Sequence, residues 1–239
     1  VGEGDPRRRR APRLKRDAPP VKTAYGKSIR ETLPELLGNE HTALLVVDVQ
    51  NDFCSPDGLF AKAGRNLSLL ERNLPHMLAL VAAAQASGVL TVFIRQTTLP
   101  GGLSDSPAWL RLKLRDGKSA EYTIAHSWGW QLVDGLSVRP HDPVIDKYRP
   151  DAFHRTALDL ILRSNAIETT VLIGCNTEGC VESTARAACH HDYYVVVAED
   201  GVASSLPELH EASLRFLRNR FAVAPAQQIA ALWSARGRG

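Results

Sequence analysis

Three side chains have complementary chemistry: a thiol at Cys180, a carboxylate at Asp48 and an ammonium at Lys147. A thiol becomes a covalent nucleophile when it loses its proton, and a buried carboxylate needs a cation beside it. Cys180 ends the run Gly174-Cys175-Asn176-Thr177-Glu178-Gly179-Cys180, which follows the apolar segment 169–173 and leads into a helical pattern over 181–191. A strand-to-helix junction puts the thiol among unpaired N–H donors at the positive end of a helix dipole, which lowers a cysteine pKa. Asp48 interrupts Leu44-Leu45-Val46-Val47-Asp48-Val49, a run that reads as a strand buried on both faces. An ionised carboxylate there is costly without a cation. Lys147 ends the short apolar stretch 142–147, just before Tyr148-Arg149-Pro150, and can supply that charge.

These three residues need a scaffold that brings strand ends together. Apolar β-rich segments at 42–49, 89–95, 143–146, 169–173, 193–199 and 221–224 alternate with helical patterns at 67–86, 157–165, 181–191, 207–220 and 226–233. Gly88 marks the end of the first long helix. Alternation of this kind predicts an α/β fold: three α/β/α layers around an open, mostly parallel six-stranded sheet with right-handed crossovers. The carboxyl ends of parallel strands converge on one crevice, and Asp48, Lys147 and Cys180 each stand at or just past such an end. The longer insertion over 101–129 is placed to cap that crevice.

The chain has 239 residues, 44% hydrophobic and 23% charged, enough for one globular domain with a full core. No segment reaches the ~20 apolar residues of a membrane span, and the start lacks the apolar stretch of a signal peptide, so no membrane partner is expected and the expected address is cytoplasmic. Val1 in place of methionine suggests a fragment or an unusual start. Residues 1–40 read as a basic, Pro-rich extension, largely disordered, with Arg7-Arg8-Arg9-Arg10, Arg13, Lys15 and Arg16 in its first half. The domain proper is 41–239. A basic arm can touch nucleic acid, but the body carries no RNA-binding signature or basic helix, so a solvated tail is the expectation. Four cysteines, at 54, 175, 180 and 189, match no zinc spacing and no secreted disulfide framework.

The segments Leu45-Val46-Val47-Asp48-Val49-Gln50-Asn51-Asp52-Phe53, Asp146-Lys147 and Gly174 to Arg186 together resemble the isochorismatase-like cysteine hydrolases, in order and spacing. The resemblance implies Cys180 as nucleophile, Asp48 as general base and later acid, and Lys147 as the cation that orients Asp48. It also implies a cis peptide between Cys175 and Asn176, with the backbone N–H groups of Asn176 and Cys180 forming an oxyanion hole. The presence of Cys180 points to C–N bond hydrolysis rather than to the vinyl-ether chemistry that names the family. The Asp-x-His metal pair of nicotinamidases is missing from Phe93-Ile94-Arg95-Gln96-Thr97-Thr98, so no metal or other cofactor is expected. Cys54-Ser55-Pro56-Asp57-Gly58, Ser127 to Val133 and Phe153 to Arg163 are most similar to the ureidoacrylate and biuret amidohydrolase branch. A small amide, ureido or carbamoyl substrate and a homodimer or homotetramer follow by resemblance.

Phe53, Arg95, Gln96 and Trp128 are candidates for the substrate pocket. Two readings compete with hydrolysis. A binding protein on the same fold would be expected to have lost at least one of Asp48, Lys147 and Cys180. A thiol redox protein would pair Cys175 with Cys180, although α/β redox sites use C-x-x-C.

Overall fold

The computed structural model describes residues 22–115 and 119–236. The arm over 1–20 lies outside the described residues. The described residues up to Glu31 and those from Thr32 onward form two compact units. Within the first unit, strands β1 (Lys22–Ala24) and β2 (Lys27–Ile29) form an antiparallel hairpin. Its turn residues, Tyr25 and Gly26, have φ of 51° and 75°, the left-handed pair that a two-residue hairpin turn requires. In the second unit, Thr32 and Glu35 form a reciprocal capping box that starts helix α1 (Leu33–Leu36). Residues 22–40, grouped with a disordered extension on composition, thus carry a hairpin and a capped helix whose Leu36 and Leu37 are buried.

Six strands make an all-parallel sheet: β3 (Thr42–Val47), β4 (Leu90–Gln96), β5 (Val144–Lys147), β6 (Thr169–Cys175), β7 (Tyr194–Ala203) and β8 (Ala222–Ala224). Their order is β5-β4-β3-β6-β7-β8. The chain moves outward from β3 through β4 to β5, then returns to the other side of β3, so the topological switch point lies between β3 and β6. Ligand crevices of open α/β sheets form there. Helices follow the strands: α2 (Asn51–Cys54), α3 (Leu59–Lys62), α4 (Ser68–Ala86), α5 (Pro107–Lys113), α6 (Leu158–Ser164), α7 (Glu182–His190), α8 (Pro207–Arg220) and α9 (Ala226–Arg236).

The period of two along β3 splits its side chains between two cores. Leu44 and Val46 join α4 and α9 residues such as Met77, Leu80, Ile229 and Trp233, whereas Ala43, Leu45 and Val47 join Leu158, Ala185 and Leu217 from α6, α7 and α8. Every residue of β3 is buried, which explains its unbroken apolar sequence.

Two details differ from the sequence expectation, and both shape the site. Strand β3 stops at Val47 rather than 49, because Asp48 takes a left-handed φ of 54° that turns the chain out of the sheet. Strand β7 runs on to Ala203 rather than 199, across a register shift opposite Leu172 and Gly174. Bulges of this kind re-aim chains beside functional sites. Gly174 is required here: its φ is 123°, and a Cβ would meet the Val47 carbonyl oxygen at 1.9 Å. Only glycine lets β3 and β6 end this close together.

Candidate active site

The three chemistry-bearing residues converge from separate strand ends. Asp48 is the first residue beyond β3, Lys147 the last of β5, and Cys180 sits in the π-helical turn Thr177–Val181 between β6 and α7. Strand β4 intervenes between β3 and β5, so about two strand spacings, or ~10 Å, separate the backbones that the Lys147 and Asp48 side chains together bridge. Lys147 does so by passing Gln96, its register partner at the end of β4. Lys147 Nζ donates to Asp48 Oδ2 at 2.7 Å, to Gln96 Oε1 at 3.0 Å and to Cys180 Sγ at 3.1 Å. All three ammonium protons therefore have an acceptor.

Asp48 and Lys147 side chains are both 0% exposed. Burial pushes the Asp48 carboxyl above its ordinary value, against the pull of Lys147. Burial alone would lower Lys147, but the facing Asp48 and Cys180 raise it, so the ammonium stays charged. Asp48 Oδ1 is buried and completes no hydrogen bond among the described residues, which leaves it an open acceptor.

The thiol differs from the sequence expectation. Burial, then the neighbouring Asp48, push Cys180 up to about 12, outweighing Lys147, which pulls it down. The resting group is a thiol rather than the thiolate that its helix-end position suggested. One cation faces two acids, Asp48 and Cys180.

The Thr177–Val181 turn that holds Cys180 is pinned from α8. Thr177 Oγ1 lies 2.8 Å from His210 Nδ1, and Ser213 Oγ donates to the Thr177 carbonyl at 3.3 Å and to Glu182 Oε2 at 2.5 Å. Burial lowers the His210 pKa, helped by Arg72 and Arg218 and opposed by Glu211. Between that lowered value and the unfolded value near ~6.5 the unfolded state binds more protons, so this contribution to stability is present above about pH 6.5 and lost as pH falls through the folded pKa. His210→Gln is expected to flatten the acid side of a plot of Tm against pH. An unaltered acid limb would contradict this role.

Cys175 ends β6, and its peptide bond to Asn176 is cis, where the resemblance puts one. Its sulfur donates to the Asp48 carbonyl at 3.0 Å and lies 3.5 Å from Cys54 Sγ. The Cys54 sulfur, together with burial, pushes the Cys175 thiol well above its ordinary range. The neighbour of Cys175 is thus Cys54 rather than Cys180, contrary to the redox reading.

A cavity of about 260 Å³ opens over Cys180 and Asn176, bounded by Phe53, Phe60, Gln96 and Tyr122 among others. Of the four pocket candidates, Phe53 and Gln96 line it; Gln96 does so while holding Lys147. Arg95 and Trp128 do not line it, which corrects their assignment. Arg95 precedes Gln96 on β4 and its side chain turns elsewhere, bidentate to Asp146 at 2.9 and 3.2 Å and 3.6 Å above the Trp130 ring. Trp128 is 49% exposed and contributes its carbonyl, which accepts from Asn51 Nδ2 at 2.9 Å. The Ser127 to Val133 segment is a brace: Asn51 N donates to Gln131 O, Asp52 N to Gly129 O, and Gln50 Nε2 to Trp130 O. These bonds fix the chain just after Asp48.

The insertion over 101–129 supplies much of the remaining wall through Trp109, Leu112, Lys113 and Tyr122. Sequence reading missed them and α5 with them. The signal was present: Ser106 caps the helix by accepting from Trp109 N, and Pro107 occupies its first position. Lys113 is buried, paired with Asp105 at 2.8 Å and bonded to Thr98 Oγ1 at 3.0 Å.

The isochorismatase domain matches residues 42–228, and the chain belongs to the isochorismatase family, as a hydrolase. It is 34% identical over 199 residues to the ureidoacrylate amidohydrolase RutB of Methylobacterium radiotolerans, covering 79% of this chain and 77% of that one. It is 33% identical over 187 residues to the RutB of an Enterobacter species, covering 74% and 81%. Among solved structures, the nicotinamidase/pyrazinamidase PncA of Bacillus subtilis has a TM-score of 0.64 at 26% identity, covering 77% of this chain and 98% of that one. A cysteine hydrolase from Pseudomonas syringae pv. phaseolicola has a TM-score of 0.72 at 21% identity, covering 92% and 99%, a likeness of fold.

Proposed function

We propose that this chain is a cysteine-dependent amidohydrolase that cleaves a C–N bond of a small amide, ureido or carbamoyl compound through a covalent acyl-enzyme. The observation that carries this reading is Lys147 Nζ, fully buried and bonded at once to Asp48 Oδ2 and to the Sγ of Cys180, which lines the cavity. A buried ion pair is weak evidence of a stabilising role, whereas perturbed acids meeting in a cavity suit proton transfer. The named activity of the ureidoacrylate amidohydrolases favours a ureido substrate.

In the proposed reaction Asp48 Oδ1 takes the thiol proton as Cys180 Sγ bonds to the substrate carbonyl carbon. The carbonyl electron pair moves onto oxygen, where the N–H groups of Asn176 and Cys180 would hold it. The Asn176 N–H donates to no acceptor among the described residues, consistent with that task. Protonated Asp48 then gives its proton to the nitrogen as the C–N bond breaks, leaving a thioester or S-carbamoyl group. Asp48 next takes a proton from water, whose oxygen attacks the same carbon. The sulfur leaves and is reprotonated by Asp48. A released carbamate would decay to carbon dioxide and ammonia. Ammonia release from a panel of ureido, carbamoyl and primary-amide compounds tests the reading; no turnover of any of them would contradict it.

No metal enters this scheme. Gln96 and Arg95 are committed to Lys147 and Asp146, and Thr98 to Lys113. Among the described residues no group of three His, Cys, Asp or Glu side chains is arranged to hold a metal ion. Activity is expected to survive a chelator without loss; stoichiometric zinc or iron whose removal abolishes turnover would overturn this. The same reading carries a homodimer or homotetramer working in the cytoplasm, the assembly being checked by light scattering.

A further inference from the structure

One cation in the cavity wall has no anion of its own. Arg65, in the loop between α3 and α4, lines the cavity with its guanidinium carbon 3.7 Å above the Phe60 ring. Lys113, the other cation of the wall, is paired with Asp105 at 2.8 Å, and Lys147, behind Cys180 and Gln96, is paired with Asp48 at 2.7 Å. No carboxylate oxygen among the described residues lies within ion-pair distance of Arg65. Glu178 is the carboxylate whose field reaches it, but Glu178 Oε1 accepts from Ser204 at 2.9 Å, burial pushes its carboxyl toward the neutral form, and it is not part of the cavity wall.

Partial burial takes hydration from the guanidinium and lowers its pKa, and the fields of Tyr122 and Glu178 offset this only in part. Contact with the Phe60 ring restrains the planar fork and leaves N–H groups for a planar, two-oxygen acceptor. Tyr122 lines the same cavity, and burial holds its phenol in the protonated, donating form. The pairs Lys147–Asp48 and Lys113–Asp105 cancel, so Arg65 leaves the wall with one surplus positive charge.

We infer that Arg65 is a specificity-determining residue that binds a carboxylate carried by the substrate, so that the compound hydrolysed is an anionic ureido or amide acid rather than a neutral amide. This rests on the cavity being the C–N hydrolase site described above. The carboxylate bridges to the guanidinium fork while the amide carbonyl faces Cys180.

The test uses the full chain and two probes, 3-ureidoacrylate and its methyl ester, with Arg65→Gln and Arg65→Lys compared to the parent. The parent is expected to favour the acid in kcat/KM by about 10- to 100-fold, the scale of a charge-assisted hydrogen bond. Arg65→Gln should erase that preference by raising KM for the acid, and Arg65→Lys should restore part of it. An acid-to-ester ratio unmoved by Arg65→Gln, or an equal loss on both probes, would overturn the inference. If neither probe is turned over, calorimetry on Cys180→Ala decides. Binding of the acid that disappears in the double variant with Arg65→Gln keeps the carboxylate site while the hydrolase reading falls. No binding, or binding independent of Arg65, overturns the site.

Discussion

Cys180→Ala is expected to abolish turnover, by at least about 10⁴-fold in kcat, while leaving the fold intact. The side chain is small, it sits at the cavity floor, and its loss removes one acceptor from Lys147 while Asp48 and Gln96 remain bonded. Cys180→Ser should be nearly as inactive. A hydroxyl beside the same base is far harder to ionise than a thiol, and the surroundings already push the thiol up to about 12. Circular dichroism and thermal melting check the fold, and ammonia release checks activity. Substantial turnover by the alanine variant would remove the covalent mechanism. Cys175→Ala is expected to be milder, because its sulfur meets Cys54 and the Asp48 carbonyl rather than the cavity.

Lys147→Ala should act on stability and activity together. It strands Asp48 as a buried carboxylate whose ion-pair partner has gone, at a cost of about 3–5 kcal/mol. Asp48 would then titrate higher still, and the base would fill with a proton near neutral pH. Urea denaturation should show a lowered midpoint with an unchanged slope, and single-turnover kinetics should show the chemical step lost. Deleting residues 1–20, a segment whose sequence offers almost no large apolar side chain, should leave both nearly unchanged. If the truncation lost catalysis while Lys147→Ala kept it, the site would lie elsewhere.

The meeting of Asp48, Lys147 and Cys180 was legible because each breaks a local rule: a carboxylate after an apolar strand, a lysine ending a short one, a thiol before a helix. Parallel topology then brought their strand ends together. The cavity wall was not legible in the same way. Arg65, Trp109 and Tyr122 come from loops and an insertion, whose mutual placement no periodicity encodes. Arg95 and Gln96 show a different failure. Neighbours on a strand face opposite sides, so both could not line one pocket, and the period of two alone argued for choosing between them. The thiol was misjudged because helix-end position was visible in the sequence and partial burial beside Asp48 was not.

During turnover Cys180 Sγ is expected to become covalently bonded to the acyl carbon of the substrate. Rapid acid quenching of the enzyme during turnover of a ureido substrate, followed by peptide mass spectrometry, tests it most directly. The account predicts an acyl or carbamoyl mass increase confined to the peptide holding Cys180, appearing before ammonia reaches steady state and missing from Cys180→Ala. Steady turnover by the parent with Cys180 unmodified at every quench time, and with Cys180→Ala still active, would contradict it.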